Sequence, residues 1–143
     1  MASFARSAEA VWKGSGKDGT GSLSADSGVL AGAPYSAGTR FGEGKGTNPE
    51  ELIAAAHAGC FAMALAFGLG RAGKTPEELA VKATVTIEQQ GAGFTITSSK
   101  LVLKGKVPGM DAAEFQKAAE DAKANCPVSK VLNAEITLDA SLA

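Results

Sequence analysis

The chain has 143 residues, 45% of them apolar and 20% charged, with a formal net charge of −1 at pH 7. That is enough for one domain, residues 1–143, with a substantial core. A near-neutral balance argues against a chain drawn to nucleic acid or acidic lipid by charge. Met1-Ala2-Ser3-Phe4-Ala5-Arg6 lacks the continuous apolar run of a signal peptide. Two cysteines, Cys60 and Cys126, without a secretion signal point to a reducing cytoplasmic location. There a permanent structural disulfide is unusual, whereas a transient redox disulfide is not.

In chain order, Ala8–Gly14 reads as a short strand ended by the glycine-rich stretch 14–19, which has hairpin composition. Gly21–Ala25 is the expected return strand, and Gly28–Ala31 a weaker third. From Pro34 a long connection follows, holding Arg40-Phe41 and four glycines, Gly38, Gly42, Gly44 and Gly46. Long loops in small domains are often functional. Asn48-Pro49-Glu50-Glu51 is a helix-start signal: a capping side chain, a proline at the first helical position, then two acids at the positive end of the dipole. The alanine-rich run behind it predicts a helix from Pro49 to about Leu69. Being apolar all round, it is expected to be buried on every side. Its length approaches a bilayer span, but His57, Gly59, Gly68 and Gly70 favour a core helix over a membrane helix.

Beyond Gly70-Arg71-Ala72-Gly73, residues 79–89 alternate, with Val81, Ala83, Val85 and Ile87 on one face. The partner strand carries Phe94, Ile96, Leu101 and Leu103, with an irregularity near Ser98-Ser99. Asp111 with Glu114 resembles a capping box for a helix over 112–124, whose apolar stripe includes Phe115, Ala118, Ala119 and Ala122. Asn125-Cys126-Pro127 interrupts it, a short further helix spans 128–132, and Ala134–Leu142 alternates as a last strand.

Gly68–Thr75 fits the phosphate-binding pattern G-x4-G-K-[ST] letter for letter, but the context is wrong. That loop needs a strand before it and a helix after it; here a helix precedes and Pro76 with a strand follows. His57 and Cys60, three apart on one helix face, could be a thiol–base pair or half of a metal site. The metal reading lacks further ligands, as there is no other histidine and Cys126 is distant in sequence. For His57 alone a hydrogen-bonded core or interface histidine is the simpler reading. If Pro127 opens a helical turn, the Cys126 sulfur sits at its N-terminus, where the dipole favours thiolate. Cys60 lies deep inside its own helix and gains little that way. Either cysteine could equally be inert core.

These residues resemble the OsmC/Ohr family, the osmotically inducible and organic-hydroperoxide-resistance proteins. The resemblance rests on Thr39-Arg40-Phe41, Gly46–Leu52, Ala55–Ala64 around His57 and Cys60, and Asn125-Cys126-Pro127-Val128-Ser129, with Ala134–Leu138 like the family's ending. It covers nearly the whole chain and favours the OsmC branch, because Arg40 lies just ahead of the helix. The resemblance implies an α+β fold with two antiparallel β-sheets flanking a long buried helix, in an intertwined homodimer. It implies a thiol peroxidase acting on organic hydroperoxides and less well on hydrogen peroxide, with no cofactor or metal. Cys60 would be the peroxidatic cysteine and Cys126 the resolving one, with Arg40 and Glu50 completing the site. A dithiol reductant is implied, of the lipoyl type in the Ohr branch.

Helix geometry adds one constraint. Glu50 and Cys60 are ten residues apart, or about 15 Å along a straight helix, too far for one side chain to bridge. Either the helix breaks, or Glu50 reaches the Cys60 of another subunit across a two-fold axis, helped by the small alanines at 54, 55, 56, 58, 62 and 64. Two rival functions are a Cys60–His57 hydrolase or transferase, and a non-enzymatic stress protein with two buried thiols.

Overall fold

Short alternating runs and one long alanine-rich run become six strands and four helices in the computed structural model, which describes residues 1–143. They fall into two compact units, Met1–Pro49 and Glu50–Ala143.

The first unit is an antiparallel meander of β1 (Ala8–Lys13), β2 (Thr20–Ala25) and β3 (Ala33–Tyr35). Gly21 pairs with Trp12 on one side and Tyr35 on the other. A Cβ at Gly21 would collide with both rings, whose centroids lie 5.4 Å apart. The third strand expected at 28–31 is instead a turn. Gly28 and Gly32 adopt φ of 85° and 68°, a left-handed conformation that interrupts an extended strand. The connection after Tyr35 contains an unexpected helix, α1 (Ala37–Phe41). Ser36 and Thr39 cap it reciprocally: Ser36 Oγ accepts from the Thr39 N–H at 3.3 Å, and Thr39 Oγ1 accepts from the Ser36 N–H at 2.8 Å. Threonine in the place of the usual Glu or Gln hides this capping box from a pattern reading. The chain then folds back, with Asn48 Nδ2 donating to the Thr39 carbonyl at 3.1 Å.

The second unit holds α2 (Pro49–Arg71), β4 (Glu78–Gln90), β5 (Gly93–Lys106), α3 (Ala112–Asn125), α4 (Pro127–Val131) and β6 (Glu135–Leu142). β4 and β5 form a long antiparallel hairpin, and β6 joins the other edge of β5 in parallel. This sheet is therefore mixed, not purely antiparallel. The chain returns through α3 and α4, and a crossover of that kind is what a parallel neighbour requires. Opposite Thr86/Ile87 the register slips by one, leaving Thr97 as the extra residue between Ile96 and Ser98. The bulge lets Ile96 share the inward phase of Ser99, Leu101 and Leu103, the last three fully or almost fully buried.

One stripe of α2, His57, Phe61, Leu65 and Leu69, is buried at four-residue spacing. Its Phe61, Leu65 and Leu69 pack with Leu101 and Leu103 of β5 and Phe115, Ala119 and Ala122 of α3. The opposite line is exposed: Ala55, Gly59, Met63 and Phe67. All-round burial is therefore not achieved within one chain, because β5 and α3 cover only one side of the helix. Length and composition alone would let α2 cross a membrane, but the packed stripe marks it as a core helix. At its end Gly73 takes φ 76° and the Lys74 N–H returns to the Leu69 carbonyl at 2.8 Å. The Gly68–Thr75 pattern is thus a helix terminus leading into β4, not a phosphate loop.

Candidate active site

Pro127 organises the site locally. A residue before proline is pushed out of the helical region, and Cys126 accordingly has φ −58° and ψ 124°. This ends α3 and starts α4 with proline at its first position. Proline has no N–H, so the first free donors of the new turn belong to Val128 and Ser129. Cys126 is fully buried at the head of this turn, in the core cluster against which Cys60 packs. Cys60 is half-buried on α2. Both cysteines are free thiols. Sequence positions 60 and 126 are thus brought near one another by the fold.

Their acidities diverge. Burial pushes Cys126 up, but the hydrogen bond from Cys60 and those from Ser129 and Val128 outweigh it, leaving its pKa below the usual thiol value. Cys60 is pushed up, first by burial, then by donating to Cys126 and by the charge on that sulfur, against the opposing Val128 bond. Of the two, Cys126 therefore gives up its proton the more readily. That matches the expectation from helix termini: Cys126 heads a turn, and Cys60 does not.

His57 lies one helical turn before Cys60 and is fully buried. Its Nδ1 is 2.6 Å from Ser99 Oγ and its Nε2 is 2.9 Å from Ser129 Oγ. Burial lowers its pKa, so the ring is neutral at pH 7. Both ring nitrogens are engaged by serines. Ser99 and Ser129 were not singled out as site residues from the sequence. The available signal was Ser99 itself, a polar residue in phase with Leu101 and Leu103 on the core face of a strand. Such a residue needs a buried partner, and His57 is the chain's one histidine.

Glu50 is buried in the first turn of α2. The helix is unbroken to Arg71, so Glu50 stays about 15 Å from Cys60 along its own axis. Arg40 belongs to the first unit, in the last turn of α1, with its guanidinium 5.4 Å from the Phe41 ring centroid. Phe41 is 52% exposed and Met63 62%, so neither is core. In the second unit a cavity of about 680 Å³ runs between α2 and α3. Ala64, Phe67, Met110 and Ala118 are among the residues that line it.

The chain thus combines an α+β architecture of two small sheets and a long helix with two free cysteines. A family model described as OsmC-like protein matches residues 42–141, and the chain belongs to that family. It is 52% identical over 134 residues to Peroxiredoxin OsmC of Escherichia coli (strain K12), with 94% of each chain covered. It is 39% identical over 101 residues to an organic hydroperoxide resistance protein of Xanthomonas axonopodis pv. citri (strain 306), covering 70% of this chain and 69% of that one. Among solved structures it is similar to an organic hydroperoxide resistance protein from Elizabethkingia anophelis, with TM-score 0.71, 27% identity and coverage of 100% and 99%.

Proposed function

We propose that this protein is a cytoplasmic thiol peroxidase that reduces organic hydroperoxides, and hydrogen peroxide less well, to alcohols. The names of its relatives, a peroxiredoxin and organic hydroperoxide resistance proteins, support a peroxidase-type stress role. The observation that supports the finer reading is the packing of Cys60 against the core cluster that holds Cys126, close enough for each thiol to shift the other's acidity. Cys60 passes its proton to the Cys126 thiolate and attacks the outer peroxide oxygen. The O–O bond breaks, Cys60 becomes a sulfenic acid, and the departing alkoxide takes the proton from Cys126 to leave as alcohol. The restored Cys126 thiolate attacks the sulfenic sulfur, forming the disulfide and expelling hydroxide, which is protonated to water. A dithiol, with a lipoyl type among the candidates, returns the disulfide to two thiols and is itself oxidised.

Ionisation alone is a small lever. A free cysteine is already ~3% thiolate at pH 7, so full ionisation gains roughly 30-fold. Larger acceleration must come from placing the peroxide and stabilising the leaving oxygen. That is the role assigned to Arg40, with Glu50 holding its guanidinium in a bidentate pair. Because α2 is unbroken, Glu50 serves the Cys60 of a second subunit, and the active form is a homodimer with composite sites. The rival Cys60–His57 hydrolase is disfavoured, since both imidazole nitrogens are already bonded to serines.

The test is titration of free thiols with cumene hydroperoxide in wild type, Cys60→Ser and Cys126→Ser. Wild type should lose two thiols per peroxide, and Cys126→Ser should accumulate a Cys60 sulfenic acid. Retention of both thiols in wild type would overturn the proposal.

A further inference from the structure

We propose that the cavity between α2 and α3 is a binding site for an amphipathic anion, a single apolar chain with a carboxylate head. It is a second site, separate from the thiols: neither Cys60 nor Cys126 lines it. Its volume of about 680 Å³ falls inside the ~300–1,000 Å³ usual for small-molecule sites. All of its walls belong to the second unit. Such a site does not depend on peroxide chemistry.

Two helix faces build the walls. Ala64, Gly68 and Arg71 follow one another at steps of four and three residues, so they share one face of α2. On α3, Glu114, Ala118 and Asp121 recur at the same steps. The part that would take a chain is apolar. Phe67 is 64% exposed, a large ring that its own chain leaves largely uncovered, and Met110 and Ala118 line the cavity with it. Gly68 keeps the channel open. A Cβ there would meet only Arg71 Nη2, at 3.6 Å, so the guanidinium lies back along α2 over the glycine. From Ala64 to Arg71 the α2 wall runs about 10 Å.

Charge selects the head. Of the five charged lining residues, Arg71, Lys74, Glu114, Lys117 and Asp121, Lys74 alone is half-buried and the others are exposed. An ammonium that loses more water under a bound ligand needs an anion beside it. Lys74 Nζ donates to the Gly109 carbonyl. That bond holds it between the end of α2 and the turn before α3, and leaves two of its three protons for a ligand. Arg71, folded over Gly68, adds a planar fork that suits a carboxylate. Lys117 lies three residues from Glu114 and four from Asp121, where these charges offset one another along α3. Three cations against two acids leave one positive charge, which a single carboxylate cancels. A neutral chain would bury the Lys74 ammonium unpartnered, and a cationic head would repel it.

The probe is octanoate, titrated calorimetrically into the reduced full-length protein below its micelle concentration, with 1-octanol as the uncharged chain. Octanoate should bind saturably, a single molecule per chain, and 1-octanol about tenfold more weakly. Arg71→Gln and Lys74→Gln should each weaken octanoate about tenfold and leave 1-octanol unchanged. Gly68→Leu should abolish binding of both, because leucine fills the channel while improving the helix. Should Gly68→Leu fail to fold, Ala118→Leu blocks the same channel from α3. Cys60→Ser should bind octanoate as wild type does, so loss of peroxide chemistry leaves this result standing. Absence of saturable octanoate binding would overturn the site. Equal affinity for octanoate and 1-octanol would overturn the carboxylate head. Octanoate binding that survives the channel-filling variants would place the ligand elsewhere and overturn the cavity. Dissociation of the subunits by Gly68→Leu, with no octanoate uptake by wild type, would mean that a second copy fills the cavity, and would overturn it equally.

Discussion

The exposed line on α2 yields a perturbation with opposite consequences for chain and assembly. Ala55 is the midpoint between Glu50 and Cys60 and is exposed. If the exposed lines of two α2 helices cross antiparallel about a two-fold axis at this level, each Ala55 faces its own symmetry mate. Ala55→Leu should barely affect a single chain: leucine is nearly as good a helix former as alanine, and an exposed substitution stays within about 0.5 kcal/mol. In the pair, helix axes that approach to about 8 Å leave no room for two leucines. Overpacking costs about 1–3 kcal/mol per site, and symmetry doubles it to about 2–6 kcal/mol. At 1.4 kcal/mol per tenfold, the dimer should weaken by about 30-fold to 10⁴-fold. Sedimentation equilibrium over a range of concentrations measures this, and urea unfolding of the dissociated variant checks the chain. Peroxide turnover per chain should fall with the dimer. Wild type that is fully active as a monomer, or an Ala55→Leu dimer as tight as wild type, would refute the crossing.

Leu65→Ala is the counterpart on the buried stripe, at 0% exposure. It should cost about 2–5 kcal/mol of unfolding free energy in urea melts. Arg40→Lys keeps the charge but replaces a planar fork with a point, so steady-state peroxidase assays should show most turnover lost; near wild-type rates would count against Arg40 as leaving-group donor. His57 is held neutral, its folded pKa below the ordinary 6.5, so the unfolded chain binds its proton first as pH falls. Its contribution to stability is therefore complete above pH 6.5 and declines below it. Denaturant midpoints of wild type should drop between about pH 6.5 and 5, and that part of the slope should be absent in His57→Gln.

Local chemistry with a strong rule behind it was legible in the sequence. Asn48-Pro49-Glu50-Glu51 marked the start of α2, and the alternation of residues 79–89 marked β4 with the correct inward face. Asp111 indeed caps α3, accepting from the Glu114 N–H at 2.8 Å. Pro127 announced the break at Cys126 and the turn behind it. Less visible was whatever depends on partners distant in sequence. α1 was missed because Thr39 rather than an acid closes its cap. The parallel placement of β6 depends on the path of the α3–α4 crossover, which strand alternation alone does not fix. The one-sided burial of α2 was hidden because an all-apolar helix does not say which chain will cover which face. Within the site, Cys60 and Cys126 were named from their motifs, whereas Ser99 and Ser129 gained meaning only once His57 was seen between them.

The unequal burial of the two sulfurs dictates how an oxidised molecule must be recycled. A reductant approaching a bond between them meets the half-accessible sulfur of residue 60 first, since that of Cys126 is sealed. Displacement at Cys60 expels Cys126, the thiol of lower pKa and so the faster leaving group. Access and leaving-group quality therefore select the same electrophile. The mixed disulfide with the reducing partner should sit on Cys60 alone.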